Sequence, residues 1–171
     1  MAAALLLAGC GSAEPKEPKH TATASATPSA TVPTMPAQAK ADTEAGAIAF
    51  VKHYIDVFNY ASNTGDVAEL QRLSDPKCEG CNNYIELYKN TYAAGGYFKD
   101  SDWVLSSPEL EQQDKDLVVF AHATAPAGKF KKGASDPEKL GDPENDDLTF
   151  VPNHISGTWI LEEFGREKAA S

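Results

Sequence analysis

The hydrophobic pattern of this chain changes period along its length. From about Asp42, Ala47, Phe50, Val51, Tyr54, Ile55, Phe58 and Ala61 recur at helical spacing, which predicts an amphipathic helix closed by Gly65. Asp66 and Glu69 form an Asp-x-x-Glu box that predicts a short second helix through Leu70 and Leu73, stopped at Asp75-Pro76. A third helix starts near Cys78, carries Cys81, Tyr84, Ile85, Tyr88 and Tyr92 on one stripe, and ends at Gly95-Gly96.

Beyond the glycines the period falls to two. Tyr97 to Leu105, Leu117 to Ala125 and Ile155 to Phe164 are predicted strands, with shorter ones at Ala127 to Lys131 and Asp147 to Val151. In the second strand Val118, Phe120, His122 and Thr124 share one face, opposite Leu117, Val119, Ala121 and Ala123. Both faces are partly apolar, so helices are expected to cover one side fully and the other side in part. The Gly-, Pro- and charge-rich stretch from Lys132 to Asp146 reads as a hairpin loop or insertion. The predicted class is α+β, three N-terminal helices packed on a mostly antiparallel sheet, spanning residues 44–171.

Residues 11–43 show no apolar period and consist almost wholly of Ala, Thr, Ser, Pro and Lys. Such a segment buries too little to fold and is expected to be a disordered tether, extended by its prolines. Ahead of it, Met1 to Ser12 reads MAAALLLAGCGS. The Leu7-Ala8-Gly9-Cys10 ending resembles the bacterial lipobox, in which a signal peptide is cut before a cysteine that is then acylated. The resemblance implies removal of residues 1–9 and a diacylglycerol anchor on Cys10, with the protein held on the outer face of the cell membrane. The apolar stretch is short and lacks a basic n-region, so the signal peptide is expected to start upstream of Met1.

Composition narrows the function. At 171 residues the chain is sized for one domain. Segment 11–43 is neutral, with Lys16, Lys19 and Lys40 against Glu14, Glu17 and Asp42, so the whole net charge of −10 falls on residues 44–171. With no basic run longer than Lys131-Lys132, phosphate backbones and anionic headgroups are poor partners, and no nucleic acid is expected. Once Cys10 is lipidated, Cys78 and Cys81 remain as an even pair, which in an exported protein points to a disulfide. Their Cys-x-x-Cys spacing also admits a redox dithiol or a zinc site. The first lacks a preceding strand, and the second lacks further ligands, since His53, His122 and His154 are scattered.

The order helix, short helix, helix, then antiparallel strands ending in Gly157-Thr158-Trp159-Ile160-Leu161 resembles the nuclear transport factor 2-like superfamily, with its SnoaL-like members. A closer resemblance is to an uncharacterised family of actinobacterial lipoproteins. It is carried by Phe50-Val51-Lys52-His53-Tyr54-Ile55-Asp56 with Asn59-Tyr60-Ala61, and by Leu73-Ser74-Asp75-Pro76-Lys77-Cys78-Glu79-Gly80-Cys81. The superfamily implies a cone, a curved sheet around helices with a pocket between them. Tyr54, Phe58, Tyr84, Tyr88, Trp103, Phe120, His122 and Trp159 are then its expected lining.

An isomerase in such a pocket needs a carboxylate base and a Tyr or protonated Asp at the oxyanion. Tyrosines are present, but Leu117 to Ala125 has no Asp or Glu, and the last strand offers only Glu162 and Glu163 near its end. His122 and Asp56 are the remaining titratable candidates, without a visible partner. Asp142, Glu144, Asp146 and Asp147 do not follow a calcium-loop order and read as solvated charge. Dinucleotide, P-loop, serine-hydrolase and zincin motifs are missing from the sequence, so no catalytic residue, metal or cofactor is assigned. The expectation is a lipid-anchored envelope protein that binds a small hydrophobic ligand or an envelope protein without catalysis. The alternatives are an isomerase- or cyclase-like enzyme in the same pocket, and a thiol-redox protein using Cys78 and Cys81.

Overall fold

A computed structural model describes residues 30–166. The apolar run, Cys10 and the linker up to residue 29 lie outside the described residues. Three helices come first: α1 (Glu44–Thr64), α2 (Ala68–Arg72) and α3 (Glu79–Ala93). Thr43 caps α1 by accepting the Gly46 N–H at 3.0 Å, and Gly65 ends it in the left-handed region at φ 74°, where its N–H reaches the Ala61 carbonyl. The α2 cap differs from the predicted box. Asp66 Oδ1 accepts from Ala68 N–H at 3.1 Å, but Glu69 turns forward to Arg72 at 2.6 Å, because an arginine one turn on offers a stronger partner than a backbone amide.

Seven strands follow, in two antiparallel sheets rather than one. β1 (Tyr97–Lys99), β4 (Lys129–Lys131) and β5 (Lys139–Leu140) form the smaller, in the order β1-β4-β5. β2 (Val104–Gln113), β3 (Asp116–Ala125), β6 (Glu144–Ile155) and β7 (Thr158–Arg166) form the larger, in the order β2-β3-β6-β7. The expected single strand from Tyr97 to Leu105 is thus split. Asp100 turns the chain at φ 58°, and the Asn59 side-chain amide on α1 clamps both backbone groups of Trp103 at 2.8 Å, redirecting it into the second sheet. β2 escapes the alternation rule because Pro108 and a bulge at Ser107, φ 49°, break its period between Ser106 and Glu109. Asp147 to Val151 is likewise only the middle of β6, and Ile155 ends that strand before a Ser156-Gly157 hairpin. Glu144 to Asp147 therefore belong to a strand rather than to a loop.

The core lies between the helices and the inner face of the larger sheet. Leu105, Leu110, Val119, Ala121, Ala123, Leu148, Phe150, Leu161 and Phe164 face inward, against the buried side of α1. Phe50 stacks on Trp159 at 6.1 Å and Phe58 meets Phe164 at 6.1 Å, tying α1 to β7. A Cβ on Gly80 would stand 1.8 Å from the Phe164 carbonyl oxygen, so only glycine lets the first turn of α3 approach β7 this closely. The folded unit also begins before residue 44. A 3-10 turn at Gln38–Lys40 buries Ala39 completely, Met35 packs on the core, and Trp159 Nε1 donates to the Ala41 carbonyl at 3.1 Å. Two apolar side chains are too few to announce themselves as a period.

Candidate functional site

The residues expected to line a pocket fall into two groups. Tyr54, Phe58, Tyr88, Trp103 and Trp159 are all at most 6% exposed, and Tyr84 is half-buried. Instead of framing a space they fill it. The Phe58 ring lies 4.9 Å from Tyr84, 5.4 Å from Tyr88 and 5.0 Å from Trp103. Edge-on and tilted contacts of this kind are the favourable aromatic geometry and leave little room for a ligand. Tyr54 donates to Ser74 Oγ at 2.9 Å, and Ser74 in turn donates to the Leu70 carbonyl at 2.7 Å. Burial holds the hydroxyls of Tyr54 and Tyr88 far above the ordinary tyrosine range, so both stay neutral hydrogen-bonding groups.

The buried polar residues among those described are His53, Ser62, Ser74 and Thr91, with no carboxylate. His53 is 1% exposed and neither ring nitrogen has a partner. Burial lowers its pKa, with Asp56 and Glu69 opposing and Arg72 assisting. Asp56 itself lies exposed on the rim of an open groove of about 480 Å³ between α1 and the start of β2. A larger open groove, about 640 Å³, runs between the start of α3 and the end of β7, lined by Asp75, Lys77, Glu79, Asn83, Glu162 and Glu163. Among the described residues no three His, Cys, Asp or Glu side chains converge as a metal site, and no helix is long and apolar enough to cross a membrane.

Phe120 and His122 correct the sequence expectation. Both point to the outer face of the larger sheet, away from the helices, because the alternate positions Val119, Ala121 and Ala123 of β3 face inward against α1. His122 Nδ1 is 2.8 Å from Asp147 Oδ1, with side-chain exposures of 39% and 67%. That hydrogen bond raises the His122 pKa, helped by Asn145 and Asp146. Around them the register assembles a surface that the sequence alone hides. Val118 and Phe120 on β3, Val151 on β6 and Ile160 on β7 form an apolar stripe outside the core. Val118 is only 5% exposed although it does not belong to the core cluster. Glu109 pairs across to Phe120, Glu111 to Val118 and Glu163 to Val151. Of its acidic residues, Glu109 and Glu111 lie in a stretch of β2 that the sequence does not predict as a strand, whereas Glu163 lies on a strand that the sequence does predict. The weak signal was Leu105 and Leu110, inward residues separated by the bulge.

Cys78 and Cys81 are joined as a disulfide across the first turn of α3, with Cα atoms 5.3 Å apart. Cys78 is the N-cap, its sulfur receiving the Cys81 N–H at 3.2 Å. They are 2% and 1% exposed, which leaves the redox reading without a sulfur open to attack. Replacing both with alanine is expected to lower unfolding free energy by about 2 kcal/mol, the loop-entropy value for so short a ring. Chemical denaturation measures it. Alkylation of the native protein after mild reductant is expected to label neither thiol.

No curated protein matches this chain. Among solved structures it is similar to the intermembrane space region of the chloroplast protein ARC6, with a TM-score of 0.53 at 12% identity over 80% of this chain and 100% of that one. That likeness speaks for the fold alone. A looser likeness, TM-score 0.45 at 15% identity over 74% of this chain and 99% of the other, is to a putative dehydratase from the NTF2-like family from Streptomyces avermitilis. A family model matches residues 19–164, most of the described fold together with part of the segment before it. The chain therefore belongs to a family of unknown function (DUF6318).

Proposed function

We propose that this protein is a lipid-anchored component of the cell envelope whose domain binds another protein through its surface and performs no chemistry of its own. The observation that carries this reading is the filled interior. Where a carrier or an isomerase needs a dry cavity, Phe58, Tyr84, Tyr88, Trp103 and Phe164 pack ring against ring. The absence of a carboxylate from the buried polar residues among those described supports it further. Binding then falls to exposed surfaces, and the large acidic excess selects partners with basic segments.

Two measurements test the proposal. Metabolic labelling with an alkyne fatty acid is expected to tag the native protein and not the Cys10→Ser variant, because Cys10 is the acylated residue. Equal labelling of the variant sinks the anchor. Photo-crosslinking of the full chain in intact cells is expected to yield discrete protein adducts from surface positions. Native mass spectrometry showing a small molecule retained by the full chain, and lost on denaturation, decides for a carrier instead.

A further inference from the structure

We infer that the outer face of the larger sheet is a docking surface for an extended, basic, amphipathic segment of a partner protein; this rests on the reading of the domain as a protein-binding module. Four strands present their outward positions here, and an apolar and an acidic group stand out among neutral polar ones such as Ser106, Thr124, Thr149 and Asn153. Val118, Phe120, Val151 and Ile160 make an apolar stripe outside the core cluster, Val118 itself being 5% exposed, and no helix among the described residues packs on it. Half-buried apolar groups left on a sheet face are the feature that a partner's side chains complete.

Charge chooses the partner. Glu109, Glu111, Asp147 and Glu163 occupy outward positions around the stripe, and none of the outward positions on the four strands is Lys or Arg. A second copy docked face to face would set these carboxylates against their own equivalents, with repulsion in a drying interface. An anionic membrane surface is repelled for the same reason. A segment that alternates apolar residues with Lys or Arg satisfies both halves of the surface. Its apolar side chains meet the stripe, and its cations reach Glu109, Glu111 and Glu163, each directly opposite a stripe residue. A shallow depression of about 200 Å³ beside Phe120, walled by Ser107, Glu109, His122 and Asp147, accepts one anchoring side chain.

The test uses the full chain and three fluorescent peptides of equal length, alternating Lys-Leu, Lys-Ser and Glu-Leu, read by anisotropy at physiological salt. The Lys-Leu peptide is expected to bind, and the other two to bind at least roughly tenfold more weakly. Phe120→Ser and the pair Glu109→Lys with Glu163→Lys are each expected to weaken Lys-Leu binding roughly tenfold or more, whereas Glu79→Lys in the α3–β7 groove leaves it unchanged. All these positions except Phe120 are exposed, and far-UV circular dichroism checks that the variants fold. Equal binding of Lys-Ser, equal binding to the Phe120→Ser variant, or no binding at all overturns the proposal. So does a concentration-dependent dimer that Phe120→Ser abolishes, which makes a second copy the occupant. In cells, a photo-crosslinker at Thr149 is expected to trap a Lys- or Arg-bearing segment. Adducts from Asn83 without any from Thr149 remove this face but leave the binding-module reading standing, and no adduct from either removes both.

Discussion

Truncating Phe58 to alanine is expected to lower the unfolding free energy by about 3–5 kcal/mol, the usual range for a buried aromatic ring. Phe58 is 1% exposed and contacts the rings of Tyr84, Tyr88, Trp103 and Phe164, so its loss leaves a hole walled by groups that cannot all move in to fill it. Urea unfolding followed by tryptophan fluorescence measures the change. The same variant probes function, because the vacated space is apolar and small hydrocarbons prefer such cavities to water. Benzene is therefore expected to raise the melting temperature of Phe58→Ala and to leave the native protein unmoved. If benzene stabilises the native protein equally, the interior is already open and the carrier reading returns.

The second large effect is a dependence of stability on pH centred on His53. Burial disfavours the imidazolium, so the folded-state pKa lies below the ordinary value of about 6.5. Above that value both folded and unfolded chains are neutral at this site and it contributes no slope. As pH falls through it, the unfolded chain takes up a proton that the folded one refuses, and stability is lost, at up to about 1.4 kcal/mol per pH unit, until the folded-state pKa is passed. The orphaned ring nitrogens add a pH-independent penalty of about 1–3 kcal/mol. His53→Leu is accordingly expected to be more stable than the native protein at pH 7.5, with the gap widening below pH 6.5. Denaturant unfolding across this range, with the two proteins compared at each pH, cancels the titration of the surface carboxylates. A constant gap means that His53 finds a hydrogen-bonding partner in solution.

The helical half of the fold was readable because its signals are local. The apolar stripe of α1, its closing glycine and the tyrosine face of α3 are properties of neighbouring residues, and the structure reproduces them within a few positions. The family resemblance rests on the same segments and is met by the family match. Strand β2 was not readable, since Ser107 and Pro108 shift its inward residues from one parity to the other, and alternation is the one sign a strand gives. The split of Tyr97 to Leu105 between two sheets depends on Asn59, 44 residues away from Trp103. No window on the sequence contains both.

The candidate site divides in the same way. By itself the sequence determined which helical side chains are aromatic and inward, that the chain carries a large acidic excess, and that Cys78 and Cys81 are close enough to pair, since each of these follows from composition or short spacing. Only the tertiary structure decided that the aromatic rings fill their own pocket, because packing density depends on how three helices and two sheets converge. It also decided that His122 faces outward with Asp147, and that three glutamates from two edge strands flank one apolar stripe. Cross-strand register sets those neighbours, and register is a property of the assembled sheet.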